Sequence, residues 1–135
     1  IEALKDEGLK VAAVSRLRRS APIGPSRRCY ANAAVMVETN CTPDDLLAVL
    51  KRIERCFGRR VGGQRWTSRV LDLDIVLWSG GAWASKGLTI PHVAFRDRDF
   101  VLAPLVDIAP QWRDPVTGLT PRHLLHRLRR PAPRP

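Results

Sequence analysis

The chain has 135 residues, enough for one domain with a genuine core and too few for two. Apolar residues make up 44% and charged residues 27%, a globular balance that excludes a low-complexity chain. The net charge of +10 favours anionic partners such as nucleotides, nucleic acid or an acidic surface. No apolar run approaches the roughly 20 residues of a membrane span and no signal-peptide pattern opens the chain, so a soluble, cytoplasmic protein is expected. The cysteines Cys29, Cys41 and Cys56 have no CxxC spacing and cannot all pair, which predicts buried free thiols in a reducing compartment.

Taken in order, residues 1–8 read as the tail of a helix closed by Gly8, so the sequence is expected to be the remainder of a longer chain. Residues 9–17 read as a strand, 18–29 as a Pro- and Gly-bearing loop, and 30–39 as a second strand. Thr42 is a good N-cap, Pro43 fits the first helical turn, and Asp44 and Asp45 complement the helix dipole. Leu46, Leu50, Ile53 and Phe57 then line one face at helical spacing, with Gly58 expected to close the helix. A basic loop over 59–68 contains Gly62 and Gly63. Residues 69–78 read as a strand, 82–90 as a short edge hairpin, and 91–99 as a polar loop. Residues 100–105 lead into a helix or turn near Pro110, and 123–130 form a short basic helix. Residues 1–130 are expected to form one domain and 131–135 a disordered Pro/Arg tail. The terminal arginines Arg127, Arg129, Arg130 and Arg134 read as a solvated tail. The element order predicts an α+β sandwich, with helices packed on a mainly antiparallel sheet. Adding a strand and helix before Ile1, the first strand being missing from this chain, would give a ferredoxin-like split βαβ arrangement.

The richest segment runs from Arg65 to Leu77. Alternation along a strand puts Asp72 and Asp74 on one face and Leu71, Leu73, Ile75 and Leu77 on the other. Two carboxylates side by side repel, so a cation between them is the natural resolution. Residues 51–69 carry seven Lys or Arg and one acid, Glu54, which suits a metal-bound polyphosphate beside the pair. On spacing alone, two solvated carboxylates are the commoner reading. His92 alone would read as a loop cap, and Tyr30 and Phe100 as core aromatics.

Three blocks in order change those odds: Arg69 to Asp74 (RVLDLD), Leu88 to His92 (LTIPH), and Arg98 to Leu105 (RDFVLAPL). With Ser20 to Pro25 and Tyr30 to Asn32, they closely resemble the 6-hydroxymethyl-7,8-dihydropterin pyrophosphokinase family of folate biosynthesis, over residues 11 to 125. The resemblance implies transfer of pyrophosphate from ATP to the pterin, releasing AMP. It implies two Mg²⁺ ions held by Asp72 and Asp74, and catalytic phosphate contacts from Arg59, Arg65 and Arg69. Glu54, Trp66, Ile75, Thr89, His92 and Arg98 join these arginines at the ATP positions. Ala21, Pro22, Ile23, Tyr30, Asn32, Trp66 and Phe100 fall on pterin positions. Arg18 stands where an aromatic is common. The family implies a monomer with small-molecule substrates and no specific nucleic-acid partner. The alternatives are a basic nucleic-acid-binding module, or a truncated remnant that binds nucleotide without catalysis.

Overall fold

The computed structural model describes residues 1–20, 30–61 and 71–130. They form the expected α+β architecture, with short two-stranded sheets and four α-helices. The strand predicted over 9–17 is β1 (Lys10–Val14), and β2 (Arg18–Ser20) follows it at the start of the segment expected to be a loop, which corrects that expectation. The strand predicted over 30–39 is cut into β3 (Tyr30–Asn32) and β4 (Val35–Glu38). β1 pairs with β4, and β2 pairs antiparallel with β3, Arg18 facing Asn32 and Arg19 facing Ala31. One residue marks both the end of β1 and the break between β3 and β4. The buried Ser15 hydroxyl accepts the Ala34 N–H at 2.8 Å and donates to the Arg16 carbonyl at 3.0 Å. The Ser15 N–H also donates to the Ala34 carbonyl at 2.9 Å. A side chain thus stands in for a ladder acceptor, which Ser does readily, and regular pairing stops there.

The chain divides into two compact units, Ile1–Lys10 with Glu38–His92 and Val11–Val37 with Val93–Pro135. In the first, α1 (Glu2–Asp6) ends as predicted at Gly8, whose φ of 85° suits glycine. Gly8 N–H donates to the Lys5 carbonyl at 2.9 Å and Leu9 N–H to the Leu4 carbonyl at 3.2 Å. These two hydrogen bonds form the Schellman closure, and Leu4 and Leu9 are both buried beside it. α2 (Pro43–Val61) starts as predicted: Thr42 Oγ1 accepts the Asp45 N–H at 3.2 Å. Gly58 does not close it, because a glycine within a helix costs only about 1 kcal/mol and the turn continues. Leu50 and Ile53 are buried, but Phe57 is 40% exposed, so the apolar stripe ends one turn earlier than its spacing implies. Cys41 and Cys56 are free but exposed, correcting the expectation of buried thiols. Cys41 precedes the helix and Cys56 lies in its exposed distal half. Cys29 lies outside the described residues. Arg52 on α2 donates to both oxygens of Glu7 at 3.1 and 2.7 Å, and those bonds lower the Glu7 pKa.

The predicted hairpin forms from β5 (Trp83–Ser85) and β6 (Leu88–Ile90), with Trp83 facing Ile90 and Ala84 facing Thr89. Ser85 Oγ accepts from Trp83 Nε1 at 3.3 Å and donates to Asp44 Oδ1, joining the hairpin to the first turn of α2. Trp78 meets Trp83 edge-to-face with ring centroids 5.3 Å apart. A Cβ at Gly80 would come within 2.5 Å of the Trp78 ring, so the indole fits only because residue 80 is glycine.

In the second unit, α3 (Asp99–Ile108) and α4 (Pro121–Arg129) pack together, and α3 also packs on β2 and β3. The predicted polar loop 91–99 contains a 3₁₀ turn, Phe95–Asp97, whose Phe95 is fully buried. Leu102, Ala103, Pro104, Leu105 and Leu124 complete this core. Alternating charges around Phe95 mask a core aromatic from any averaged hydropathy reading. Thr120 caps α4, its Oγ1 accepting the His123 N–H at 3.2 Å. Arg129 is not merely solvated, since it donates to Asp99 on α3 at 2.7 and 3.2 Å. The predicted tail 131–135 lies outside the described residues.

Candidate active site

Residues 71–78 belong to no strand among the described residues, which corrects the strand expected over 69–78. The predicted alternation nevertheless holds at its start. Leu71 and Leu73 are half-buried, whereas Asp72 and Asp74 are exposed. The adjoining Ile75 is half-buried. The His92 N–H donates to the Val76 carbonyl at 3.1 Å, which sets the Pro91-His92 block beside the segment that carries both carboxylates. The His92 residue itself is half-buried, and Thr89 is exposed on β6. Glu54 is half-buried on α2 and pairs with Lys51 at 3.5 Å. Arg59 falls in the last part of α2. Arg65, Trp66 and Arg69 lie outside the described residues.

The other unit carries the remaining predicted positions. Tyr30 and Asn32 sit on β3, against which α3 packs, and α3 bears Phe100. Asn32 and Phe100 are both half-buried. Arg98 stands immediately before α3, its guanidinium 5.7 Å from the Phe100 ring centroid, a cation–π distance. Ala21, Pro22 and Ile23 lie outside the described residues.

Three contacts that the sequence reading missed organise this unit. Arg18 on β2 donates to Asp107 on α3 at 3.0 Å, so the departure at position 18 supplies a strand-to-helix tie. That bond lowers the Asp107 pKa. Asp114 is fully buried and accepts two bonds from Arg96, one from the Val116 N–H at 3.0 Å and one from Thr117 Oγ1 at 2.7 Å. The Arg96 bonds lead in holding its carboxyl far below the usual range, against burial, which acts the other way. Asp99 is lowered by its bonds from Arg129. Only Asp114 had a local signal: Asp-Pro-x-Thr-Gly is turn chemistry in which an Asp side chain caps the backbone two residues on.

Among the described residues no three His, Cys, Asp or Glu side chains gather into a metal cage. Asp72 and Asp74 offer carboxylate oxygens, the donor type that hard cations prefer. The family model for 7,8-dihydro-6-hydroxymethylpterin-pyrophosphokinase matches residues 1–110. The chain belongs to that family.

Pyrophosphokinase relatives agree along most of the chain. The 2-amino-4-hydroxy-6-hydroxymethyldihydropteridine pyrophosphokinase of Synechocystis is 39% identical over 84% of this chain and 57% of its own length. The protein of that name from Methylorubrum extorquens is 40% identical over 76% of this chain and 65% of its own. A folate synthesis bifunctional protein of Arabidopsis thaliana is 39% identical over 80% of this chain and 22% of its own. The chain therefore spans less than two thirds of these pyrophosphokinases. No helix among its described residues is long and apolar enough to cross a membrane.

Proposed function

We propose that this pyrophosphokinase-family chain, as one domain over residues 1–130, transfers pyrophosphate from ATP to 6-hydroxymethyl-7,8-dihydropterin. The hydroxymethyl oxygen attacks the β-phosphorus of ATP. A new O–P bond forms, the bond between the α,β-bridging oxygen and the β-phosphorus breaks, AMP departs with that oxygen, and the hydroxyl proton passes to solvent. The observation that carries this reading is the exposed Asp72 and Asp74 pair, set beside the Pro91-His92 block inside the family-matched residues.

Asp72 and Asp74 would hold two Mg²⁺ ions. When bound, Mg²⁺ neutralises polyphosphate charge and aligns attacking and leaving oxygens. The protein's own share is positioning and electrostatics, and no side chain acts as nucleophile. Arg59, Arg65 and Arg69 take phosphate oxygens through charge-assisted bonds. Glu54, Ile75, Thr89, His92 and Arg98 line the nucleotide, and Trp66 contacts both substrates. Tyr30 and Phe100 cover the apolar faces of the pterin, Asn32 pairs with its polar rim, and residues 21–23 complete that pocket. The enzyme works as a cytoplasmic monomer.

The test is AMP release from ATP by the purified chain, with Mg²⁺ and the hydroxymethyl dihydropterin supplied. Asp72→Ala and Asp74→Ala should each abolish AMP formation while circular dichroism stays that of the wild type. Activity near wild type in either variant removes the metal assignment.

A further inference from the structure

Two ion pairs converge on one short stretch of the second unit. Arg96, on the 3₁₀ turn, donates twice to the buried Asp114 and lies over the Phe95 ring at 4.9 Å. Three residues later Asp99 takes two bonds from Arg129 on α4. Arg98 lies between these anchors and Phe100 directly follows them. The Arg98 carbonyl accepts the Val101 and Leu102 N–H groups, both at 3.0 Å, as α3 begins. Both anchoring partners come from beyond residue 110, where the family match ends. Paired two-bond contacts fix orientation as well as distance, which single contacts do not.

We infer that Asp114 and Arg129 are positioning residues, which grip the chain on either side of Arg98 and so present Arg98 and Phe100 ready-set for nucleotide and pterin. The inference rests on the proposed function for what is bound there, but the bracing can be measured without turnover. Ordering a loose segment when substrate arrives would spend binding energy, and a segment held beforehand avoids that loss.

The experiment is residue-resolved amide hydrogen exchange on the 135-residue chain and its variants. Asp114→Asn removes a buried charge and can unfold the chain, so the deciding variant is Arg129→Gln, which alters an exposed pair. Arg129→Gln should speed exchange at Val101 and Leu102 about twofold to fivefold, the scale of an exposed ion pair. Exchange at Leu50 and Ile53 on α2 should not change. The exchanged pair Asp99→Arg with Arg129→Asp should restore slow exchange. Unchanged rates at Val101 and Leu102, or an equal rise at Leu50 and Ile53, would overturn the inference. Where the wild type forms AMP, Arg129→Gln should raise KM for substrate and leave kcat within about twofold. A lower kcat at unchanged KM overturns it too. A wild-type chain that forms no AMP counts against the proposed function, and the exchange result still decides the bracing.

Discussion

Asp114 shows what a single residue does here. Its carboxylate accepts four bonds while fully buried, and its pKa is held far below the ordinary carboxylate range. A carboxyl whose folded pKa is depressed adds stability that is present above the unfolded pKa, about 3.9, and lost as pH falls through the folded value. Asp99 and Asp107 shift in the same direction, each led by a bond from an arginine. Stability should therefore be level from neutral pH to about pH 5 and fall below about pH 4. Urea unfolding at pH 7, 5 and 3.5 measures this. Asp114→Asn should lower stability at pH 7 by about 3 kcal/mol and flatten the acid limb. A variant that loses as much stability to acid as the wild type would contradict the assignment. None of these arginine partners was legible in the sequence. Arg96 and Asp114 are 18 positions apart and Arg18 and Asp107 are 89 apart, and no local period links them. The exposure of Asp72 and Asp74 was legible, because a period of two is local and puts both carboxylates on the side away from Leu71 and Leu73.

The same divide between near and distant signals holds for elements. The close of α1, the start of α2 and the hairpin followed from neighbouring residues. Thr42 and Pro43 started α2, Gly8 closed α1, and Lys86 with Gly87 joined β5 to β6. The end of β1 and the break between β3 and β4 did not follow, because Ser15 acts on Ala34 from 19 positions away. The end of α2 misled for another reason: helical spacing says which side a residue takes, not how far the neighbouring core extends, and Phe57 lies beyond it. The cap offers a clean check at this scale. Thr42→Ala should cost about 1 kcal/mol in urea unfolding, while Thr42→Ser should cost little. Equal losses in both variants would mean the Oγ1 bond to Asp45 contributes nothing.

Across the whole molecule, the charge of +10 bears on how anions arrive rather than on the fold. Affinity for an ATP analogue at fixed Mg²⁺ should weaken as KCl rises, since the screening length contracts from roughly 10 Å at 0.1 M to roughly 3 Å at 1 M. Calorimetric titration at several salt concentrations reads this, and a salt-independent affinity would mean the distributed charge plays no part. Family membership was legible from three short blocks in order, whereas Asp114 and Arg129 lie outside every such block, beyond residue 110 where the family match ends. The indoles of Trp78 and Trp83 offer something of practical use. At 5.3 Å and nearly perpendicular, the rings are close enough for their electronic transitions to couple, and the expected outcome is a paired dichroic band that an isolated tryptophan lacks. Loss of that band would time the opening of β5 and β6 optically, without a label and without waiting for substrate.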